Sequence, residues 1–142
     1  MGKITVDEFN TLLRAELPFA AENGIVAESV EDGRASVRLP FQENMIRPGG
    51  TIAGPIMMGL ADATMFAALL GRIGVVKMAV TTSFNINFLR RPPRADLVAD
   101  GRVIKAGRRL GVMEVTVFTD GDDDPVAHAT GTYSIPPADG EK

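Results

Sequence analysis

Between Pro55 and Leu70 the chain reads PIMMGLADATMFAALL, and Asp62 is its one charged side chain. Ile56, Met57, Met58, Leu60, Met65, Phe66, Leu69 and Leu70 cover nearly every face of a 3.6-residue helix, which predicts a helix buried on all sides. An isolated ionised carboxylate is costly to bury and persists only with partners or by holding its proton. Asp62 is therefore a candidate general base or nucleophile. The alternative is a structural acid that satisfies loop amides or an arginine.

Few other residues offer comparable chemistry. His128 is the one histidine, so a Ser-His-Asp triad would have to use it. It alternates with Val126 and Thr130 in a strand-like run, and no Gly-x-Ser-x-Gly elbow occurs, so a structural histidine is the expectation. The acidic run 120–124 lacks the twelve-residue calcium-loop pattern and its closing glutamate, and reads as a solvated turn. Gly49-Gly50 has no Walker-type Lys-Ser/Thr after it and reads as a tight loop leading into a helix. Arg90, Arg91, Arg94, Lys105, Arg108 and Arg109 all fall at strand ends. They form either one basic rim suited to phosphate oxygens or ordinary solvated turn charge. Met57, Met58 and Met65 are core filler by the simplest reading, though soft side chains also suit an acyl or aryl pocket.

These residues need a scaffold. Thr5 and Glu8 have capping-box spacing, and Phe9, Leu12, Leu13 and Leu17 follow at helical spacing, predicting a helix over 5–17 stopped by Pro18. Residues 25–30 and 34–39 alternate around Glu31-Asp32-Gly33, a hairpin signature. Residues 42–54, QENMIRPGGTIAG, form a glycine- and proline-rich loop. Pro55 then suits the first turn of the apolar helix, which should end near Gly71 and Gly74. Strand-like runs follow over 76–90, 97–105, 110–119 and 126–135, broken by Pro92-Pro93, by residues 106–109 and by the acidic turn. The short connections make the last strands antiparallel neighbours. The order implies an α+β layer with the sheet wrapped around the apolar helix.

Composition sets the limits. A chain of 142 residues, 45 % hydrophobic and 23 % charged, is long enough for one domain with a real core. A net charge of −3 argues against non-specific nucleic-acid binding. The absence of cysteine excludes disulfides, zinc–thiolate sites and cysteine nucleophiles. The run around Asp62 is too short, and carries an acid, for a membrane span. MGKITVDEF has no secretory apolar stretch, so the expected compartment is the cytoplasm.

The loop and helix around Asp62 resemble the hotdog-fold acyl-CoA thioesterases of the phenylacetate-degradation (PaaI-like) type, within the 4-hydroxybenzoyl-CoA thioesterase superfamily. That family has a loop asparagine, then Gly-Thr-Val-His-Gly-Gly, then an apolar helix with Leu-Ala-Asp. Here the matching residues are Gly50-Thr51-Ile52-Ala53-Gly54-Pro55 and Leu60-Ala61-Asp62, with the spacing kept. The likeness continues through residues 80–89, Gly101-Arg102-Val103, Gly107-Arg108 and residues 127–133, covering roughly 20–135. It implies a hotdog fold, an antiparallel sheet around a long buried central helix, in a single domain over 1–142; the N-terminal helix read above falls in 1–20, and the polar composition from Pro136 predicts a frayed tail in 136–142. It also implies dimers joined edge to edge, often paired into tetramers, with active sites at the dimer interface.

By position Asp62 takes the acid's role and the Gly54 N–H, donated from the partner subunit, polarises the thioester carbonyl. Thr81 aligns with a hydroxyl that assists the acid in some relatives, its alternative being a plain β-branched strand former. The departures are Ala53 where the family has histidine, Pro55 for the second glycine, and Arg47 where an asparagine or glutamine would orient substrate. Asn44 is a candidate substitute for that asparagine. Arg47, Ala53, Pro55, Arg90, Arg108 and Arg109 are the candidate substrate contacts. The expectation is an acyl-CoA thioesterase acting on a coenzyme A thioester, with no cofactor, metal, nucleic acid or membrane partner. The rivals are a hotdog hydratase, which needs a histidine absent at this site, and a non-catalytic acyl-CoA binder serving as sensor or accessory subunit.

Overall fold

The computed structural model describes residues 2–137; the tail expectation for 138–142 lies outside them. Helix α1 (Val6–Glu16) starts as its capping box predicts. The Glu8 N–H donates to Thr5 Oγ1 at 3.0 Å and the Thr5 N–H to Glu8 Oε1 at 2.8 Å. It buries Phe9, Leu12 and Leu13. Pro18 ends it but also opens a second short helix, α2 (Pro18–Glu22), which the sequence reading missed. A fixed φ and a missing N–H suit a first turn as well as they forbid an interior one.

The hairpin forms as β1 (Val26–Glu31) and β2 (Arg34–Leu39). The following loop holds one 3₁₀ turn (Glu43–Met45) and a two-stranded clip, β3 (Ile46–Arg47) and β4 (Thr51–Ile52). Gly49 and Gly50, at φ +105° and +75°, turn that clip. The apolar helix is α3 (Gly54–Ile73), ended by Gly74 at φ +87°. Strands β5 (Val80–Phe88), β6 (Leu97–Ala106), β7 (Leu110–Thr119) and β8 (Ala127–Ser134) complete the chain.

One antiparallel sheet, ordered β1-β2-β6-β7-β8-β5, wraps α3, which is the hotdog arrangement. Strands β6, β7 and β8 meander as expected, but β5 does not pair with its sequence neighbour β6. Strand β2 already occupies the free side of β6, from Arg34↔Arg102 to Leu39↔Leu97. The open side of β8 is left to β5, which becomes an edge strand with both faces largely exposed.

The inward register of β6, β7 and β8 presents Leu97, Ala99, Val103, Met113, Val115, Val117, Ala127, Ala129 and Tyr133 to α3. Glycines stand where helix and sheet touch most closely. A Cβ on Gly101 would lie 2.7 Å from Thr64 Cγ2, and one on Gly131 2.6 Å from Met65 Sδ. The helix is not buried on all sides, as its pattern suggested. From Ala63 to Gly71 it is enclosed, whereas Met58 is 40 % exposed and Gly59 and Asp62 are half-buried. The stripe Pro55, Gly59, Asp62, Ala63 and Phe66, at helical spacing, lines a cavity.

Candidate active site

Asp62 lies on the third turn of α3 beside the start of β5, and two hydroxyls donate to its carboxylate. Tyr133 Oη lies 2.7 Å from Asp62 Oδ1 and 3.1 Å from the Asp62 carbonyl oxygen. Thr81 Oγ1 donates to the same Oδ1 at 2.8 Å. These donors replace the water that a carboxylate loses at the edge of an apolar site. Burial, and then the Asp62 charge, push the Tyr133 phenol above its ordinary range, so it stays a donor. Tyr133 is itself fixed by stacking on Phe66, with ring centroids 6.1 Å apart.

Asp62, Thr81 and Tyr133 line a cavity of about 460 Å³ whose other walls include Leu17, Phe19, Ala20, Ala63, Phe66, Ala79 and Val80. An apolar chamber with a few convergent polar groups has the make-up of a small-ligand site. Pro55 and Lys77 stand at its rim, Lys77 paired with Glu16 at 3.1 Å.

Gly54 is at the other end of the strand. Ala53 is the N-cap of α3 and makes no side-chain cap bond; its own N–H donates to the Met45 carbonyl at 2.9 Å. Gly54 is thus the first helical residue, against the Phe88 ring at the end of β5, where a Cβ would come within 3.2 Å. Gly54, Met57, Phe88, Arg47, Arg90 and Arg91 line a second cavity of about 340 Å³.

The basic residues do not form one rim. Arg47, Arg90 and Arg91 gather at the Gly54 cavity, where Arg90 is also held by Asp122 and Asp124. Arg94 pairs with Glu43. Lys105, Arg108 and Arg109 sit at the opposite end of the sheet, because Leu97 pairs with Thr119 and Ala106 with Gly111. Ten residues of β6 separate the two groups by about 30 Å. Asn44 lies exposed in the 3₁₀ turn and does not line the Asp62 cavity. Met57 lines the Gly54 cavity, whereas Met65 is core. His128 bonds Glu114 Oε2 at 3.1 Å, a structural partner on the sheet.

The thioesterase superfamily model matches residues 49–126, more than half of the chain. The chain belongs to the thioesterase superfamily. A provisionally named esterase of Saccharolobus solfataricus is 31 % identical over 132 residues, covering 93 % of this chain and 86 % of its own. A provisionally named thioesterase from Silicibacter sp. TM1040 superposes with a TM-score of 0.87 at 36 % identity, covering 96 % of this chain and 95 % of its own. A point mutant of the phenylacetic acid degradation protein PaaI from Thermus thermophilus gives a TM-score of 0.74 at 25 % identity, over 84 % of this chain and 99 % of its own.

This chain is thus a hotdog-fold superfamily member of the PaaI-like type, and the esterase and thioesterase names of the Saccharolobus and Silicibacter relatives are those of hydrolases. The superfamily segment contains Gly54, Asp62 and Thr81 but ends before Tyr133. Sequence reading missed Tyr133 as a site residue. Its signal was faint: the one tyrosine of the chain, at the inward register of a strand whose other inward positions are Ala127, Ala129 and Gly131.

Proposed function

We propose that the protein is an acyl-CoA thioesterase, hydrolysing an acyl- or aryl-CoA thioester to the free acid and coenzyme A. The observation that carries this reading is the Asp62 carboxylate, held by two hydroxyls at an apolar cavity beside an open sheet edge.

Thioester hydrolysis needs a base or nucleophile and an oxyanion donor, both about 3 Å from the reacting carbonyl. Asp62 and Gly54 of one chain cannot meet that condition. Eight helical residues separate them, about 12 Å at 1.5 Å per residue. A second copy removes the difficulty. Strand β5 carries Thr81, beside Asp62, near one end and Phe88, beside Gly54, at the other. Antiparallel pairing of two β5 edges about a two-fold axis sets each Thr81 end near the partner's Phe88. Asp62 then faces Gly54 of the partner subunit.

In that composite site the carbonyl oxygen takes the N–H of the partner's Gly54, at a helix N-terminus whose dipole favours developing negative charge. Asp62 either attacks the carbonyl carbon or takes a proton from a water that does so. Tyr133 and Thr81 both occupy Oδ1, which leaves Oδ2 for that task. By the water route, the tetrahedral intermediate collapses with rupture of the C–S bond, and the proton that Asp62 took from water passes to the coenzyme A sulfur. By the nucleophilic route, collapse expels the thiolate and leaves an acyl–Asp62 anhydride, which a water then hydrolyses to the free acid, giving its proton to the thiolate. Position 53 offers no imidazole, so the helix N-terminus is the main carbonyl-polarising group. The same two-fold brings the Arg108 and Arg109 end of one sheet toward the partner's Arg90 and Arg91, a basic surface suited to coenzyme A phosphates.

Subunit complementation tests the reading. Asp62→Asn and Gly54→Pro should each abolish thiol release from acyl- and aryl-CoA substrates while leaving the fold intact. Random mixing of the two inactive chains should restore about a quarter of wild-type activity, since half the dimers are mixed and each holds one complete site. Full activity of Asp62→Asn, or no recovery on mixing, overturns the proposal. Binding of acyl-CoA without any release by the wild type would make the protein a sensor.

A further inference from the structure

The Asp62 cavity has two aromatic walls of different character. Phe66 is 7 % exposed and fixed by rings on both sides, Phe9 at 6.0 Å and Tyr133 at 6.1 Å. Phe19 is 42 % exposed and lies on α2, five residues long and without a side-chain N-cap. Its ring fills a notch in α3. A Cβ on Gly59 would lie 2.1 Å from Phe19 Cε2 and 2.5 Å from Cζ. Glycine within a helix costs about 1 kcal/mol relative to alanine, and the seated ring accounts for its presence at 59. Gly59 precedes Asp62 by three residues on the same face, so the ring covers the cavity one turn from the carboxylate.

We propose that Phe19, seated on Gly59, is the specificity-determining wall that limits the length of the acyl group admitted beside Asp62. The proposal rests on the thioesterase reading and goes beyond it by naming the residue that selects the acyl group. Phe66 cannot serve, because moving it would break the stack that carries Tyr133. Phe19 can be removed or displaced without touching Asp62, Thr81 or Tyr133.

The test is kcat/KM across a series of straight-chain acyl-CoA thioesters in two-carbon steps. It compares wild type, Phe19→Ala, Gly59→Ala and the double variant. Phe19→Ala should raise kcat/KM about tenfold, relative to the wild-type optimum, for chains two carbons longer. Gly59→Ala should shift the profile in the same direction, because its methyl expels the ring. The double variant should match Phe19→Ala alone, since the methyl then meets nothing. Should Phe19→Ala melt, Phe19→Leu, with a shorter reach, should give a smaller shift of the same sign. An active wild type whose Phe19 variants keep its length profile, with only a uniform drop, overturns the gate alone. A wild type that releases no thiol from any substrate overturns both the thioesterase reading and the gate.

Discussion

Tyr133 is the one tyrosine in a chain without tryptophan, so phenolate absorbance reports a single group in the candidate site. Burial is the larger cause of its raised pKa and the Asp62 charge the next. The perturbation is Asp62→Asn, which removes the charge and leaves the burial. A phenolate and a carboxylate 2.7 Å apart repel by about 1.5 kcal/mol at the dielectric of water and about 6 kcal/mol at an effective value of 20. The lower figure is the floor for a half-buried acid, and it corresponds to about one pH unit.

Wild-type protein should show no phenolate until well above the ordinary tyrosine range, about pH 10. Asp62→Asn should bring the midpoint down by at least about one unit, with burial still holding it above that range. The linked stability has a definite sign. A group whose pKa is raised by folding gives its full contribution below the unfolded value and loses it as pH rises, so wild type should weaken above about pH 10. Phenolate appearing near pH 10 in folded wild type, or an unchanged midpoint in Asp62→Asn, would refute the Tyr133–Asp62 contact and with it the proposed seating of the acid.

The other expectations are independent of that titration. Thr81→Ala removes a donor to a charged oxygen and should cost about 1.5–3 kcal/mol of transition-state stabilisation, roughly ten- to a hundredfold in kcat/KM. Thr81→Ser should keep most of the activity; equal losses in both would make Thr81 a strand former only. Gly71→Ala would set a Cβ 2.1 Å from the Glu31 carbonyl oxygen. Overpacking against backbone should lower stability by about 1–3 kcal/mol or more, and an unchanged melting temperature would show that α3 does not press on β1 there. The Glu114 carboxyl is held below its ordinary range by His128 first, against its own desolvation, and by Arg102. Its contribution is present above that range and lost as pH falls through it, so Glu114→Gln should flatten the acid side of the urea-stability profile. An unchanged acid slope would remove Glu114 from the account.

The helix, the hairpin and the acid were legible in the sequence because each depends on local chemistry. Thr5 and Glu8 cap a helix by spacing, Gly33 turns a hairpin, and Pro55 starts a helix wherever the chain folds. Sheet order was less legible, since the place of β5 depends on which strand takes the other side of β6. That competition is decided by β2, more than forty residues earlier. The basic rim failed for the same reason: residues at strand ends fall at one end of the sheet or the other according to pairing. Tyr133 was hidden by distance, 71 residues from Asp62, and by a register that suits a core side chain equally well.

Asp62 and Gly54 belong to one short motif in the sequence, which invites a site built from a single helix. Geometry argues the reverse. The helical rise that makes their spacing regular also holds them about 12 Å apart, too far for both to touch one carbonyl. Position 53, where a side chain would have to bridge that gap, holds alanine, and its N–H is already committed to Met45. An open strand edge running from Thr81 to Phe88 supplies the repeat that a second copy needs. Under the proposed thioesterase reading, dimerisation is a requirement of the chemistry, because the donor that Asp62 lacks in its own chain would be supplied by the next one.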